Sequence, residues 1–298
     1  MPDGNQPAVS FDALLPPQIA EACERVGAAK ARMDLVSTLV LAGLAGAFIS
    51  LGAMLFTVTV TEAELGFGPT RILGGVAFSL GLVLVVIAGA ELFTGNTLII
   101  MAWASRKVST PLLLRNWGLV YAGNFAGAIL TVLLVYASQQ WEFNGDEIGA
   151  TALKVADHKA NLGFGQAVAL GILCNALVTL AVWLALSARG IIDKIVAIIF
   201  PITAFVAAGF EHSVANMYFI PMGLLLKEES SVREAAGLSE GALSNLTWSH
   251  FLLANLLPVS IGNIIGGAVL VGAVYWFVYL RHDRATPVAE RAAPRARD

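Results

Sequence analysis

The chain has 298 residues, 57% of them hydrophobic and 13% charged, with a mean hydropathy of +0.75. A soluble domain carries about 25% charge, and no soluble fold of this size hides so much apolar surface, so the chain reads as an all-α integral membrane protein. The net charge of −3 comes without a basic stripe, which excludes nucleic acid and leaves the lipid bilayer as the partner that composition demands.

Residues 1–34 are polar and charged, without the apolar run of a cleavable signal. From Phe11 to Met33, Leu14, Leu15, Ile19, Ala22, Val26 and Ala29 recur at helical spacing between Glu and Arg. That pattern predicts an amphipathic helix at the membrane surface, for anchoring, docking or gating. Six apolar runs of spanning length follow at 35–60, 72–103, 112–137, 163–186, 191–226 and 252–279. The second and fifth are too long for one crossing, and each contains a Gly-flanked polar interruption, at 89–96 and 209–216. Each is read as two half-helices joined by non-helical backbone, which membrane proteins tolerate only where protein buries it or it lines a cavity. The membrane domain is 35–281, and the Ala/Pro/Arg-rich segment 282–298 is expected to be a disordered tail. An even number of spans puts both termini on one side. That side holds thirteen Lys and Arg against five on the other, which predicts cytoplasmic termini.

The interruptions share a frame. Gly89-Ala90-Glu91 and Gly209-Phe210-Glu211 are each followed by Asn five residues after the Glu, at Asn96 and Asn216. The third span carries Asn116, Gly123-Asn124 and Gly127-Ala128. The sixth carries Asn255, Gly262-Asn263 and Gly266-Gly267 at the same spacings. Three spans per half is an odd number, so the halves must lie in opposite orientations, an inverted 3+3 repeat with two broken helices. The paired glycines at four-residue spacing suit close helix packing.

A carboxylate inside a span is costly and reads as functional. Glu91 and Glu211 are expected to face the interior, accept from loop backbone N–H groups and brace the loops, with Asn124 and Asn263 helping to hold them. His212 is the one histidine inside a span. Beside Glu211 it can donate to a passing oxyanion or exchange a proton. Thr94, in the other loop, can donate to an anion or accept from His212, or bond its local backbone. Asn175 interrupts the fourth span and lines the path or packs. Cys23 and Cys174 are far apart, which argues against a disulfide and offers no metal spacing; no cofactor is expected. Enzyme chemistry is disfavoured: a His-x-x-Glu-His protease would need His at Ala208, and no Gly-x-Ser-x-Gly elbow exists.

The stretches 89–96 (GAELFTGN), 171–178 (GILCNALV), 207–223 (AAGFEHSVANMYFIPMG) and 261–267 (IGNIIGG), with Lys159 in Ala-Asp-His-Lys, closely resemble the formate–nitrite transporter family. The resemblance implies an aquaporin-like protomer of six spans and a homopentamer with one pore per protomer. It also implies passage of small monovalent anions such as formate, nitrite or hydrosulfide, sometimes with a proton. By motif, the family's central histidine falls on His212, its loop threonine on Thr94, its vestibule lysine on Lys159 and its pathway asparagine on Asn175. Its apolar constrictions fall on Phe78, Leu82, Leu92, Val178, Phe205 and Ala215. The Glu-Leu-Phe-Thr-Gly-Asn loop is nearer the nitrite type, whereas the aromatic and leucine constrictions look formate-like. An aquaporin-type neutral-solute channel shares the architecture but wants paired Asn-Pro-Ala loops, which this sequence lacks.

Overall fold

A computed structural model of the chain describes residues 12–281, all helix and connecting turns with no strand among them. The predicted tail at 282–298 lies outside the described residues. Helix α1 (Pro16–Arg32) opens with proline at its first position and buries Ile19, Ala20, Cys23, Gly27 and Ala31. Among the described residues six helices are long and apolar enough to cross a membrane: α2 (Leu35–Val60), α3 (Phe67–Gly89), α5 (Thr110–Ala137), α7 (Phe164–Ser187), α8 (Ile191–Ala208) and α11 (His250–Tyr279). The half-helices α4 (Phe93–Ala104) and α9 (Ser213–Leu226) complete the two broken spans.

The breaks are shorter than the sequence suggested. Only 90–92 and 209–212 leave the helix, so Thr94, Asn96 and Asn216 sit in the first turns of α4 and α9. Polarity alone had marked them as loop. Asn96 and Asn216 bond back across their own breaks to Glu91 and Glu211, and Thr94 bonds His212 of the other break, which lets these polar residues remain helical. Both incoming helices end on a glycine in the left-handed region, Gly89 at φ +84° and Gly209 at φ +77°. Glycine adopts that conformation without a Cβ clash, which is why it heads both Gly-x-Glu frames.

Helix α2 packs on α3 and α5, and α7 packs on α8 and α11. A Cβ on Gly127 would run into the Gly43 carbonyl, and one on Gly266 into that of Ile172, so the glycine pairs mark seams of close backbone approach. Outward faces keep large apolar groups exposed, such as Val36, Leu134 and Leu253, as lipid or a neighbouring subunit would require.

Two helices occupy connections that were read as loops. Helix α6 (Glu147–Ala160) buries Ile148, Ala152, Leu153, Ala156 and Ala160, and packs on α9. Helix α10 (Ser230–Ala236) packs on α6 in turn. Both are too short and too charged to span, so a search for spans passes over them. An odd number of crossings separates α1 from α6, so they lie on opposite faces.

Candidate functional site

The two breaks meet in the core. Thr94 Oγ1 lies 2.9 Å from His212 Nε2, and both side chains are buried. The backbone N–H of Ala215 donates to His212 Nδ1 at 3.0 Å, so His212 is also the cap of α9. A backbone N–H can only donate, so Nδ1 is the acceptor and the neutral ring carries its hydrogen on Nε2. Nε2–H therefore donates to Thr94 Oγ1, which leaves the threonine hydroxyl hydrogen free to point elsewhere.

Each break is held by one asparagine. Phe93 N–H donates to Asn124 Oδ1 at 2.9 Å, while Asn124 Nδ2 donates to the carbonyls of Ala42 and Glu91. Ser213 N–H donates to Asn263 Oδ1 at 2.9 Å, while Asn263 Nδ2 donates to the carbonyls of Gly171 and Glu211. Glu91 N–H and Glu211 N–H reach the carbonyls of Leu41 and Leu170. This corrects the expectation for the glutamates. Loop N–H groups go to asparagine and backbone oxygens, because the buried carboxylates are already committed to side chains.

Those side chains match between the halves. Glu211 pairs with Lys159 at 2.7 Å and accepts from Asn216 Nδ2 at 2.6 Å. Asn216 also donates to Asn255, whose amide donates to the carbonyl of Lys159. In the other half Glu91 pairs with Lys30 at 3.0 Å and accepts from Asn96 Nδ2 at 2.7 Å. Asn96 donates to Asn116, which donates to the carbonyl of Lys30. A buried carboxylate is tolerable only when paired and hydrogen-bonded, and both pairs meet that condition. Lys30 was missed from the sequence. The readable signal was its spacing: Lys30-Ala31 and Lys159-Ala160 each place the lysine five residues ahead of the first residue of the next span.

Two cavities approach this centre from opposite faces. The one under α1, labelled inner after the charge-predicted topology, encloses about 340 Å³ and is lined by Cys23, Lys30, Leu82, Glu91, Leu92 and Leu98 among others. The one beside α6, labelled outer, encloses about 310 Å³, and Phe78, Phe205, His212, Ala215 and Phe219 are among its walls. The rings interlock, with Phe78 edge-on to Phe205 at 5.7 Å and Phe205 stacked on His212 at 6.0 Å. Phe219, which the sequence reading did not name, stacks on Phe78 and lies 5.3 Å beneath Lys159 Nζ. It stands one helical turn after Ala215, on the same face.

The remaining expected residues divide. Leu82 and Leu92 wall the inner cavity, Phe78, Phe205 and Ala215 the outer one, and Val178 lines neither and is buried. Asn175 also lines neither. Its amide donates to the carbonyls of Thr94 and Asn263 and to Thr97 Oγ1, joining the supports of the two breaks.

The sequence profile of the Formate/nitrite transporter family matches residues 17–277. The chain belongs to that family. Within the formate/nitrite transporter family it is 44% identical over 276 residues to the formate channel FocA of Escherichia coli (strain K12), covering 92% of this chain and 97% of the relative. It is 37% identical over 277 residues to the FocA of Haemophilus influenzae, covering 92% and 98%. Among solved structures, it matches one described as a pentameric formate channel with formate bound. That match has a TM-score of 0.77 at 42% identity and covers 83% of this chain and 98% of the other. A structure described as an FNT family ion channel matches at a TM-score of 0.74 and 28% identity, covering 90% and 99%. The fold of six spans is therefore the transporter fold of this family.

Proposed function

We propose that the chain is a formate channel of the bacterial cytoplasmic membrane, a homopentamer with one pore in each protomer and both termini in the cytoplasm. The observation that carries this reading is the Thr94–His212 contact between the two breaks, with one cavity reaching His212 and the other reaching Leu92 and Gly95 beside Thr94. Formate channels covering nearly the whole chain at 37–44% identity support formate, and the pentameric relative supports the assembly.

A bare carboxylate entering the dry rings faces an idealised desolvation cost on the order of 20 kcal/mol, several after relaxation. Protonating an acid of pKa about 3.7 at pH 7 costs roughly 4.5 kcal/mol at about 1.36 kcal/mol per unit. The weak acid therefore crosses with its proton, and direction follows the two gradients. At the centre, the Thr94 hydroxyl, its oxygen held by His212 Nε2–H, donates to the passing oxygen. Asn124, Asn263 and Asn175 hold the backbone that presents it.

Nitrite and hydrosulfide form the second reading, favoured by the Gly95-Asn96 ending of the first loop. Flux of formate, nitrite, hydrosulfide and lactate into proteoliposomes at two pH values tests the choice. Formate is expected to pass fastest, and faster at the lower pH. A nitrite rate well above formate at both pH values overturns formate as the substrate.

A further inference from the structure

The two cavities differ in charge. Lys30 and Glu91 are the charged residues lining the inner one, and they pair with each other. The outer cavity sets Arg71, Lys154, His158 and Lys159 against a single carboxylate, Glu211. Lys159 is committed to that carboxylate at 2.7 Å. Arg71 donates to the carbonyls of Ala207 and Val206 at 3.0 and 2.9 Å, where the C-terminal end of α8 concentrates negative partial charge. Lys154 has neither commitment. Its side chain makes no hydrogen bond or ion pair with any described residue, and it is exposed to the cavity.

Helix α6 sets this arrangement. Thr151, Lys154, Val155, His158 and Lys159 follow one another at i, i+3, i+4, i+7 and i+8, a single helical stripe that forms the cavity wall. The stripe carries three polar side chains with no hydrogen bond to a described residue, Thr151, Lys154 and His158, of which Lys154 and His158 stand one turn apart on the wall shared with Phe78, Phe205 and Phe219. A flexible ammonium with three donors suits loose, reversible capture of a small carboxylate better than a rigid fork would.

We propose that Lys154, with His158 beside it and Arg71 across the cavity, forms a capture site for small monocarboxylate anions at the outer mouth. The site makes anion supply asymmetric, richer from the α6 face than from the α1 face. Lys159, whose charge Glu211 compensates, contributes little to that attraction. The proposal deepens the channel reading above and rests on it.

The test is concentration-dependent formate uptake into proteoliposomes sorted by the accessibility of a C-terminal tag, which presents one face at a time. At about 10 mM ionic strength a charge at the mouth acts across the whole cavity, and at about 1 M it is screened within a few ångströms. Lys154→Gln is expected to raise the half-saturating formate concentration roughly two- to fivefold for uptake from the α6 face at low salt. Uptake from the α1 face stays at the wild-type value, high salt removes the difference, and Lys154→Arg, which keeps the charge but not the flexible ammonium, falls between wild type and Lys154→Gln. An unchanged half-saturation in Lys154→Gln at low salt overturns the proposal, as does a change that is salt-insensitive or equal from both faces. A wild-type protein that passes no formate overturns the channel reading itself, and the capture site with it.

Discussion

Replacing Lys159 with Met is expected to destabilise the folded protein by about 3–5 kcal/mol, the usual cost of leaving a buried charge without its partner. Glu211 is 3% exposed in its side chain and Lys159 13%, so little water reaches the carboxylate once the ammonium is gone. Asn216 would still donate, but an amide does not neutralise a charge. The double replacement Lys159→Met with Glu211→Gln removes both charges and is expected to recover most of the loss, because the penalty belongs to the orphan and not to the missing attraction. The matching Lys30→Met should cost less. Lys30 is 30% exposed in its side chain, so solvent screens Glu91 when the lysine is removed. Thermal unfolding in detergent, read by tryptophan fluorescence, ranks the three variants against the wild type. If Lys159→Met is neutral while Lys30→Met is costly, the ion pair is not what makes Glu211 tolerable.

Replacing His212 with Phe is expected to cut formate flux at least about tenfold and to flatten its pH dependence, because an imidazole can pass a proton and a phenyl ring cannot. Two buried contacts vanish together. The Ala215 N–H loses the acceptor that caps α9, and Thr94 loses the donor that fixes its hydroxyl. An unsatisfied buried N–H alone costs about 1–3 kcal/mol. His212→Asn separates the two roles. Asparagine is a good cap and should restore folding stability, but it carries no titrating imidazole. Flux in proteoliposomes clamped at several pH values decides the point. A His212→Phe channel with wild-type pH dependence contradicts a proton role for this residue.

The spans were legible because the bilayer imposes a length and a polarity that few other constraints mimic. The first run, 35–60, agrees with α2 at both ends, and both breaks fall on a Gly that only glycine's freedom explains. The repeat was legible as well, since the asparagines that hold each break recur at fixed spacing. What the glutamates bond to was not. A sequence says that a buried carboxylate needs partners, but Glu91 finds Lys30 sixty-one positions away, through a helix that composition marks only as amphipathic. Helix α6 was hidden for a related reason. Its apolar residues pack on α9 rather than on lipid, so it has helical periodicity without the length of a span. Resemblance located Lys159, Asn175 and Val178 but not their surroundings. Lys159 is tied to Glu211, and Asn175 and Val178 stand back from both cavities. Phe219 escaped because, read on its own, an aromatic in an apolar half-helix is ordinary core.

The central claim is that the permeant crosses where the outer cavity meets His212, past Ala215. Cysteine at that position tests it most directly, in a protein with Cys23 and Cys174 replaced by alanine. Cys23 needs removal because it lines the inner cavity, although burial pushes its thiol up to about 12 and slows its reaction. Treating Ala215→Cys with a small methanethiosulfonate should abolish formate flux, and saturating formate should slow the block. The cysteine-free parent should be unaffected. Full modification of the cysteine, verified by mass spectrometry, with undiminished formate flux would show that the path does not run through this site.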